Sequence, residues 1–281
     1  MISNALILVT LLALSGCNQG SQNTASQEAS TMHDSASNER IQETPTSAAA
    51  PVAVRGQLVD AHTYRLCGKT YTTKGNFSVD AYNRNATGVV TFTGFPASYE
   101  EFADLYENFL GKTPEGTAAM ATMAMELFYR DKAVGEKCVT LLCSPGSAAG
   151  MKSIVGEKVR SWKRGDPYGQ RYLPAAVLKG ATAENGYLPT DPYTIEMKAS
   201  VNKHEKVQIS DNGICMYIYV LGDGWDSHQR SVQVFLRTGG DHYKIWVASS
   251  LYVQCDDEAA AALLGRASYN DLIPAGVLPS L

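Results

Sequence analysis

The order of secondary-structure signals along the chain predicts an α+β fold, with helices packed on an antiparallel sheet and β-hairpins at the N-terminus of the domain. Strand signals occupy residues 52–95, helical periodicity follows from 98 to 179, and strand signals return at about 193–253. Grouped strands, grouped helices and again grouped strands lack the regular βαβ alternation of a parallel sheet. We therefore expect a single α+β domain over residues 51–281, with its C-terminal sheet at about 193–253.

The N-terminal strands are predicted from β-branched and aromatic residues that lie between Gly- and Asn-containing breaks. These strands cover residues 58–66, 71–73, 77–82 and 89–95. We expect them to form two hairpins.

The first two helices are predicted from their capping residues. Ser98 and Glu101 have the spacing of a capping box, and Gly111 is typical of a helix end. Thr113-Pro114 predicts the start of the second helix, because proline at the first helical position loses no hydrogen bond. This helix is apolar on most sides, which favours a central core helix over an adaptable Met-lined groove. Its apolar residues are Ala118, Ala119, Met120, Met123, Ala124, Leu127 and Phe128.

Two further helices are predicted, one from its cap Asp131 through Leu142 and one at 149–163, before a short helix at 173–179. The helix at 149–163 has an apolar stripe typical of a core-facing side, formed by Met151, Ile154, Val155, Val159 and Trp162. Basic residues occupy its other sides: Lys152, Lys158, Arg160, Lys163 and Arg164. These form either a solvated face, which we favour, or a contact for anionic lipid or glycan phosphate.

The C-terminal strands are predicted at 193–201, 207–210, 214–221, 231–238 and 243–253. Gly239-Gly240 predicts a two-residue hairpin turn. In that register Leu236, Val234 and Val232 face Tyr243, Ile245 and Val247, so apolar pairs share one face. The opposite face then holds Tyr217, Tyr219, Phe235 and Trp246 with Gln233, Arg237 and Lys244. Such a face is either a platform for a glycan or peptide, or a surface covered by a helix.

The first residues of the chain predict a membrane anchor. Residues 5–14 form an apolar run of signal-peptide length, too short to span a bilayer, and Leu14-Ser15-Gly16-Cys17 follows it. This tetrapeptide resembles the lipobox of bacterial lipoprotein precursors. The resemblance implies a signal peptide over 1–17, cleavage before Cys17 and diacylglycerol on its sulfur, with further fatty acyl chains such as palmitate. The alternatives are an ordinary secretory signal cut nearby and a stub of a buried helix.

Residues 18–50 are expected to be a disordered tether, because they lack aromatic residues and are rich in Ser, Thr, Gln, Asn and Ala. A flexible coil of that length spans roughly 30 Å. The partner implied by Cys17 is the lipid bilayer, and the expected location is the cell envelope. Asn18 is compatible with the outer membrane, on its periplasmic or surface face, if the host is Gram-negative.

Charge and cysteine content limit the partners and the chemistry. The chain carries −4, of which the tether accounts for −3, and so the domain is near −1. A near-neutral domain gives no electrostatic reason to bind nucleic acid. Cys67, Cys138, Cys143, Cys215 and Cys255 are an odd number outside the anchor, and we interpret them as small buried hydrophobes or one structural disulfide. The hairpin register above places Cys215 opposite Arg237, too far from Cys255 for a disulfide.

From about residue 170 onward, several short motifs resemble an uncharacterised bacterial domain family of secreted and lipid-anchored proteins. The motifs are Tyr172-Leu173, Lys179-Gly180-Ala181, Glu184-Asn185-Gly186-Tyr187, Asp191-Pro192-Tyr193, 222–230 and Ser249-Ser250-Leu251. This resemblance implies one domain and no catalytic residue. After Asp226-Ser227 the family pattern has Pro-Arg, whereas this chain has His228-Gln229-Arg230.

The candidate binding site is the loop at 222–230, which is much longer than a hairpin needs and is rich in polar residues. By the predicted register the end of the last strand lies beside it. Together they supply Asp223, Trp225, Asp226, His228, Arg230, Asp256 and Asp257. The carboxylates are of the type that binds calcium or the polar groups of a sugar stacked on Trp225. The alternative is that Trp225 belongs to the core and the acids only solubilise the edge.

No nucleophile elbow, phosphate loop, zinc-protease motif or EF-hand loop is present in the sequence, and so we predict no metal and no cofactor. Two function classes stay open. One is a non-catalytic envelope module that binds a glycan, a peptide or another envelope protein. The other is an envelope hydrolase that acts on a cell-wall or glycan substrate with residues from distant segments.

Overall fold

A twisted antiparallel sheet forms one layer of the domain, and helices pack against it to form the other. The computed structural model describes residues 54–163, 173–208, 212–225 and 227–252, without the side chains of 161–163. All of them belong to one compact unit, residues 51–281. The nine strands of the described part are β1 Gln57–Asp60, β2 Thr63–Leu66, β3 Lys69–Gly75, β4 Thr87–Phe92, β5 Tyr193–Ala199, β6 Glu205–Val207, β7 Gly213–Leu221, β8 Gln229–Arg237 and β9 Tyr243–Val247.

All strand neighbours in this sheet are antiparallel, in the order β1-β2-β3-β4-β5-β7-β8-β9. The short strand β6 pairs with the first three residues of β7, and β5 pairs with its last four. Strands from both ends of the chain therefore meet where β4 pairs with β5 over six residue pairs. The predicted α+β class is confirmed.

The helices lie between the two groups of strands in sequence. They are α1 Tyr99–Asn108, α2 Pro114–Arg130, α3 Lys132–Leu142, α4 Pro145–Lys163 and α5 Leu173–Ala176, with short 3-10 turns at Leu110–Lys112, Ala183–Asn185 and Ser249–Tyr252. None of the helices in the described part of the chain has both the length and the apolar character needed to cross a bilayer.

The second helix is the centre of the core, as its apolar sequence predicts. Every residue of α2 from Pro114 to Tyr129 is buried. It contacts α3 and α4 on one side and strands β3, β4, β8 and β9 on the other. A helix that is apolar all round is expected in such a position.

Local capping signals predicted the starts of the first three helices, whereas α4 begins at Pro145 and not at 149. Thr113 caps α2 and Asp131 caps α3, each through a side-chain oxygen that accepts backbone N–H groups. Ser98 likewise caps α1, but the Glu101 side chain does not accept a hydrogen bond from the Ser98 amide, as a capping box requires. Its carboxylate accepts from the Ala97 amide at 2.9 Å and from Lys69 Nζ at 2.6 Å, because the strand β3 brings an ammonium group within reach.

The N-terminal strands differ from the prediction in two places. Residues 58–66 form two strands, because the His62 amide donates to Asp60 Oδ1 at 2.7 Å and closes a turn. Residues 77–82 form no strand. The next turn, Cys67-Gly68, has φ values of 49° and 74°, the positive pair that a two-residue hairpin requires.

The register of the C-terminal hairpin is correct at two of the three predicted pairs. Leu236 faces Tyr243 and Val234 faces Ile245, but Val247 faces Gln233 because a bulge interrupts β9. Pairing also stops at Leu236–Tyr243, so the connection contains residues 238–242 rather than two glycines. The pairing of β7 with β8 also differs from the prediction, because Cys215 lies opposite Phe235 and not opposite Arg237.

The cysteines of the described part are free. Cys138, Cys143 and Cys215 are buried, and burial raises the pKa of each thiol to about 12. Their interpretation as small buried hydrophobes is therefore confirmed for these three. Cys67 is exposed in its turn, and Cys255 lies outside the described residues.

Candidate functional site

The predicted site loop connects β7 to β8 and is held by structural contacts. Asp223 Oδ2 accepts a hydrogen bond from the Gly180 amide at 3.0 Å, which ties the loop to the segment after α5. The His228 amide donates to the Trp225 carbonyl at 2.9 Å, and His228 has a φ of 51°. Asp223 and His228 thus shape the loop and its neighbour.

Trp225 lies in the core, with only 2% of its surface exposed. The Arg230 guanidinium stacks on its ring at 5.0 Å, and Arg230 also donates a hydrogen bond to Ser227. In this conformation the indole face is not open to a sugar. The geometry agrees with the alternative in which Trp225 is a core residue, while the binding role of the loop stays a prediction.

The remaining residues of the predicted constellation, namely Asp226, Asp256 and Asp257, lie outside the described residues, as does the predicted lipid attachment site Cys17. The clustering of four carboxylates around Trp225 therefore stays a prediction. Within the described ranges, no group of three or more His, Cys, Asp or Glu side chains is arranged to hold a metal ion.

Several of the short motifs that carry the family resemblance converge on one corner of the fold beside this loop. The Asn185 side chain joins both ends of residues 180–188, because it accepts from the Thr182 and Leu188 amides and donates to the Gly180 and Leu188 carbonyls. Gly180 and Gly186 have φ values of 79° and 68°. These motif residues are therefore explained by the shape of the corner.

Close backbone contacts join the site loop to α5 and to this corner, because a Cβ placed on Gly224 would lie 3.0 Å from the Ala181 carbonyl oxygen. A Cβ placed on Gly224 would lie 2.8 Å from the Ala176 side chain, and one on Gly222 would lie 2.6 Å from the Ala176 carbonyl oxygen. Only glycine permits such an approach. The loop is therefore part of the packed end of the sheet.

A second polar surface is the cleft between α3 and α4, which has a volume of about 350 Å³. We call it the α3–α4 cleft. Its lining residues come from both helices: Lys132, Glu136, Ala149, Lys152, Ser153, Gly156 and Arg160. The basic residues of α4 are evident in the sequence but predict a solvated face, because nothing in one helix indicates that a second helix completes a cleft.

The cleft exists because α3 and α4 contact each other and both pack against α2. The chain reverses at Cys143 and Ser144, and the Ser144 amide donates to the Ile245 carbonyl at 2.9 Å, which fixes the reversal against β9. Small residues recur on the α4 side at Ala149, Ser153 and Gly156. A Cβ on Gly156 would meet the Phe128 ring at 3.7 Å, so the floor rests on the core.

Cations dominate the electrostatics of the α3–α4 cleft. Its lining contains three cationic side chains and one carboxylate. Lys132 and Glu136 form a long ion pair of 3.6 Å, and Arg160 pairs with Glu157 outside the cleft lining at 2.5 Å. Lys152 makes no ion pair or hydrogen bond with any residue of the described ranges. An anion in the cleft would therefore meet at least one uncompensated ammonium group.

A buried carboxyl elsewhere is explained by packing. Glu115, at the start of α2, lies over the cross-strand pair Gly75–Gly88, and the Thr73 hydroxyl donates to its Oε1 at 3.3 Å. Burial raises the pKa of Glu115. A Cβ at Gly75 would lie 2.5 Å from its carboxyl carbon, so the two glycines provide the space that this side chain fills.

Residues 94–259 match the model of a protein family described as a domain of unknown function, DUF6935. No curated protein and no solved structure matches the chain. The match begins just after β4 and includes the α3–α4 cleft and the site loop. It therefore reaches well before residue 170, where the short motifs of the sequence begin. Because it covers more than half of the chain, the protein belongs to the DUF6935 family.

Proposed function

We propose that this chain is a lipid-anchored cell-envelope protein whose domain binds an anionic envelope ligand in the α3–α4 cleft and does not transform it. The observation that carries the proposal is the cationic lining of a cleft with a small-residue floor. Its volume of about 350 Å³ lies in the range of small-molecule sites. The localisation rests on Leu14-Ser15-Gly16-Cys17, and the tether would give the domain roughly 30 Å of reach from the bilayer.

The lining supports binding better than catalysis. Glycoside hydrolysis generally uses a pair of carboxyl groups, and acyl transfer uses a nucleophile beside a base. The cleft supplies one carboxylate, Glu136, which is already paired with Lys132, and one hydroxyl, Ser153, without a histidine among its lining residues. These residues can hold an anion by charge-assisted hydrogen bonds. The hydrolase hypothesis gains no support from this site.

The binding part of the proposal is tested by thermal melts of the full mature protein in detergent at low ionic strength. Phosphate, sulfate and citrate are each added to the wild type and to a Lys152→Ala, Arg160→Ala double variant. An anion that binds only the folded state raises the melting temperature. We expect stabilisation of the wild type, its loss in the double variant, and its retention in Lys158→Ala, which removes one positive charge of α4 outside the cleft lining. Absence of any anion effect on the wild type would contradict the proposal.

A further inference from the structure

Resting on the proposed function, we infer that the ligand of the α3–α4 cleft is a polyol phosphate, that is, a phosphate group with hydroxyl groups on the carbons next to it. Lys152 and Arg160 hold the phosphate, with Ser153 as a third donor. Glu136 accepts a hydrogen bond from a ligand hydroxyl. The assignment follows from the donors, the acceptor and the space that the cleft provides.

The donors favour phosphate over a carboxylate. Lys152 and Ser153 are adjacent on α4, Arg160 is two turns further along the same helix, and Lys132 stands on the opposite wall. A planar carboxylate has two oxygens on one side, whereas a tetrahedral phosphate presents oxygens to several directions at once. Arg and Lys donors spread over two walls therefore complement phosphate better.

The existing ion pairs do not block the donors. Arg160 and Glu157 are 65% and 56% exposed in their side chains, and Lys132 and Glu136 are 69% and 43% exposed. Pairs this exposed contribute little to stability because water competes for both partners. Arg160 and Lys132 can therefore turn to a bound phosphate without a large loss.

Glu136 limits the ligand to one that also donates hydrogen bonds. An ionised carboxylate can only accept, and it repels a second anionic group in the same cleft. A hydroxyl group beside the phosphate would donate a hydrogen bond to Glu136. The cationic side chains of the cleft would then all remain available to the phosphate. The cleft volume of about 350 Å³ leaves room for a short polyol next to the phosphate group.

The test measures equilibrium binding of glycerol 3-phosphate to the full mature protein in detergent, by titration calorimetry at low ionic strength. Inorganic phosphate, sulfate, citrate and glycerol are titrated separately for comparison. We expect glycerol 3-phosphate to bind more tightly than any of these. Lys152→Ala should weaken it about tenfold, the loss of one charge-assisted hydrogen bond. Lys152→Arg should retain binding, and Lys158→Ala should leave it unchanged.

Glu136→Gln provides the test of the hydroxyl contact. The variant keeps an acceptor oxygen but loses the charge, so it should bind inorganic phosphate more tightly and reduce the preference for glycerol 3-phosphate. Equal binding of sulfate, citrate and glycerol 3-phosphate to the wild type would overturn the inference while leaving an anion-binding function in place. Equal effects of Lys152→Ala and Lys158→Ala would overturn it as well. Failure of every anion to bind would instead contradict the proposed function itself.

A second arm distinguishes the source of the polyol phosphate. The mature protein is mixed with phosphatidylglycerol-containing vesicles or with a soluble poly(glycerol phosphate), and a Lys152→Ala protein is the control in each case. Both wild type and variant carry the same anchor, so the anchor contributes equally to vesicle attachment. A Lys152-dependent signal with vesicles assigns the lipid headgroup, and one with the polymer assigns the polymer. If neither the vesicles nor the polymer gives a signal that depends on Lys152, the inference is overturned.

Discussion

Replacing Gly135 by alanine tests how closely α3 packs on α2, and therefore how the α3–α4 cleft is held in shape. Gly135 is buried in α3, and a Cβ there would lie 2.2 Å from Phe128 Cα and 2.4 Å from Phe128 Cβ. Favourable carbon contacts lie at ~3.5–4.0 Å, so the helices must separate by more than about 1 Å. The first clashing atom is backbone, which no change of rotamer can move.

The expected size of the effect is the difference between two opposing contributions. Overpacking of this kind costs about 1–3 kcal/mol. Alanine in place of glycine inside a helix returns about 0.8–1.0 kcal/mol through higher helix propensity. The difference is a loss of about 0–2 kcal/mol in the free energy of unfolding for Gly135→Ala, which corresponds to at most ~8 °C in melting temperature for a domain of this size.

Gly150→Ala is the matched control. Gly150 lies inside α4, and a Cβ there would meet nothing within 4 Å. The same chemical change should therefore stabilise the protein by about 0.5–1 kcal/mol. Urea unfolding of the two variants and the wild type measures the change in the free energy of unfolding for each substitution, provided that the m-value is unchanged. Stabilisation by Gly135→Ala equal to that by Gly150→Ala would refute the close packing of α3 on α2.

Three further predictions concern the anchor, the core and a buried acid. Cys17→Ala should release the protein from the membrane fraction or stall its processing, and intact-mass measurement of the wild type should show acyl chains; an unmodified wild-type protein in the soluble fraction would contradict the lipid anchor. Trp225→Ala should lower the free energy of unfolding by about 3–5 kcal/mol, because a buried aromatic ring is removed; unchanged stability in urea would mean that the ring is exposed and available to a ligand. Burial raises the pKa of Glu115, so the folded state holds that proton more tightly than the unfolded state. The resulting stabilisation is fully present below the unfolded-state pKa and is lost as the pH rises through the folded-state pKa. Glu115→Gln should flatten that part of the stability–pH curve, and an unaltered curve would show that Glu115 is solvated.

Local signals in the sequence were sufficient for the starts of α1, α2 and α3 and insufficient for the start of α4 and for the edges of the sheet. The starts of α2 and α3 follow from Thr113-Pro114 and Asp131, whose side chains act on amides two or three residues away. The bulge in β9 and the end of pairing at Leu236–Tyr243 depend instead on distant contacts. The His242 ring, for example, contacts the Glu107 carbonyl oxygen at 2.9 Å, which draws residues 238–242 toward α1. No pattern within the hairpin itself could indicate that contact.

The two candidate sites show why polar residues in a sequence do not by themselves identify a binding site. The site loop was predicted from its length and polarity, yet its length is largely explained by Trp225, which reaches the core, and by Asp223, which binds the Gly180 amide. The α3–α4 cleft was not predicted, because Lys132 and Arg160 are 28 positions apart and only packing on α2 brings their helices together. Polar composition can therefore locate a loop but cannot distinguish a ligand contact from an internal one.

The boundary of the family match adds a constraint on what the DUF6935 region needs in order to fold. The match starts at residue 94, after β4, yet β4 pairs with β5 along six residue pairs and its Val90 and Phe92 are buried. Tyr71 of β3 is also fully buried in the same core. Without β1–β4, the strand β5 would become an exposed edge and part of α2 would lose its cover. The N-terminal strands of this chain therefore complete the sheet that supports α2, and through α2 the floor of the cleft.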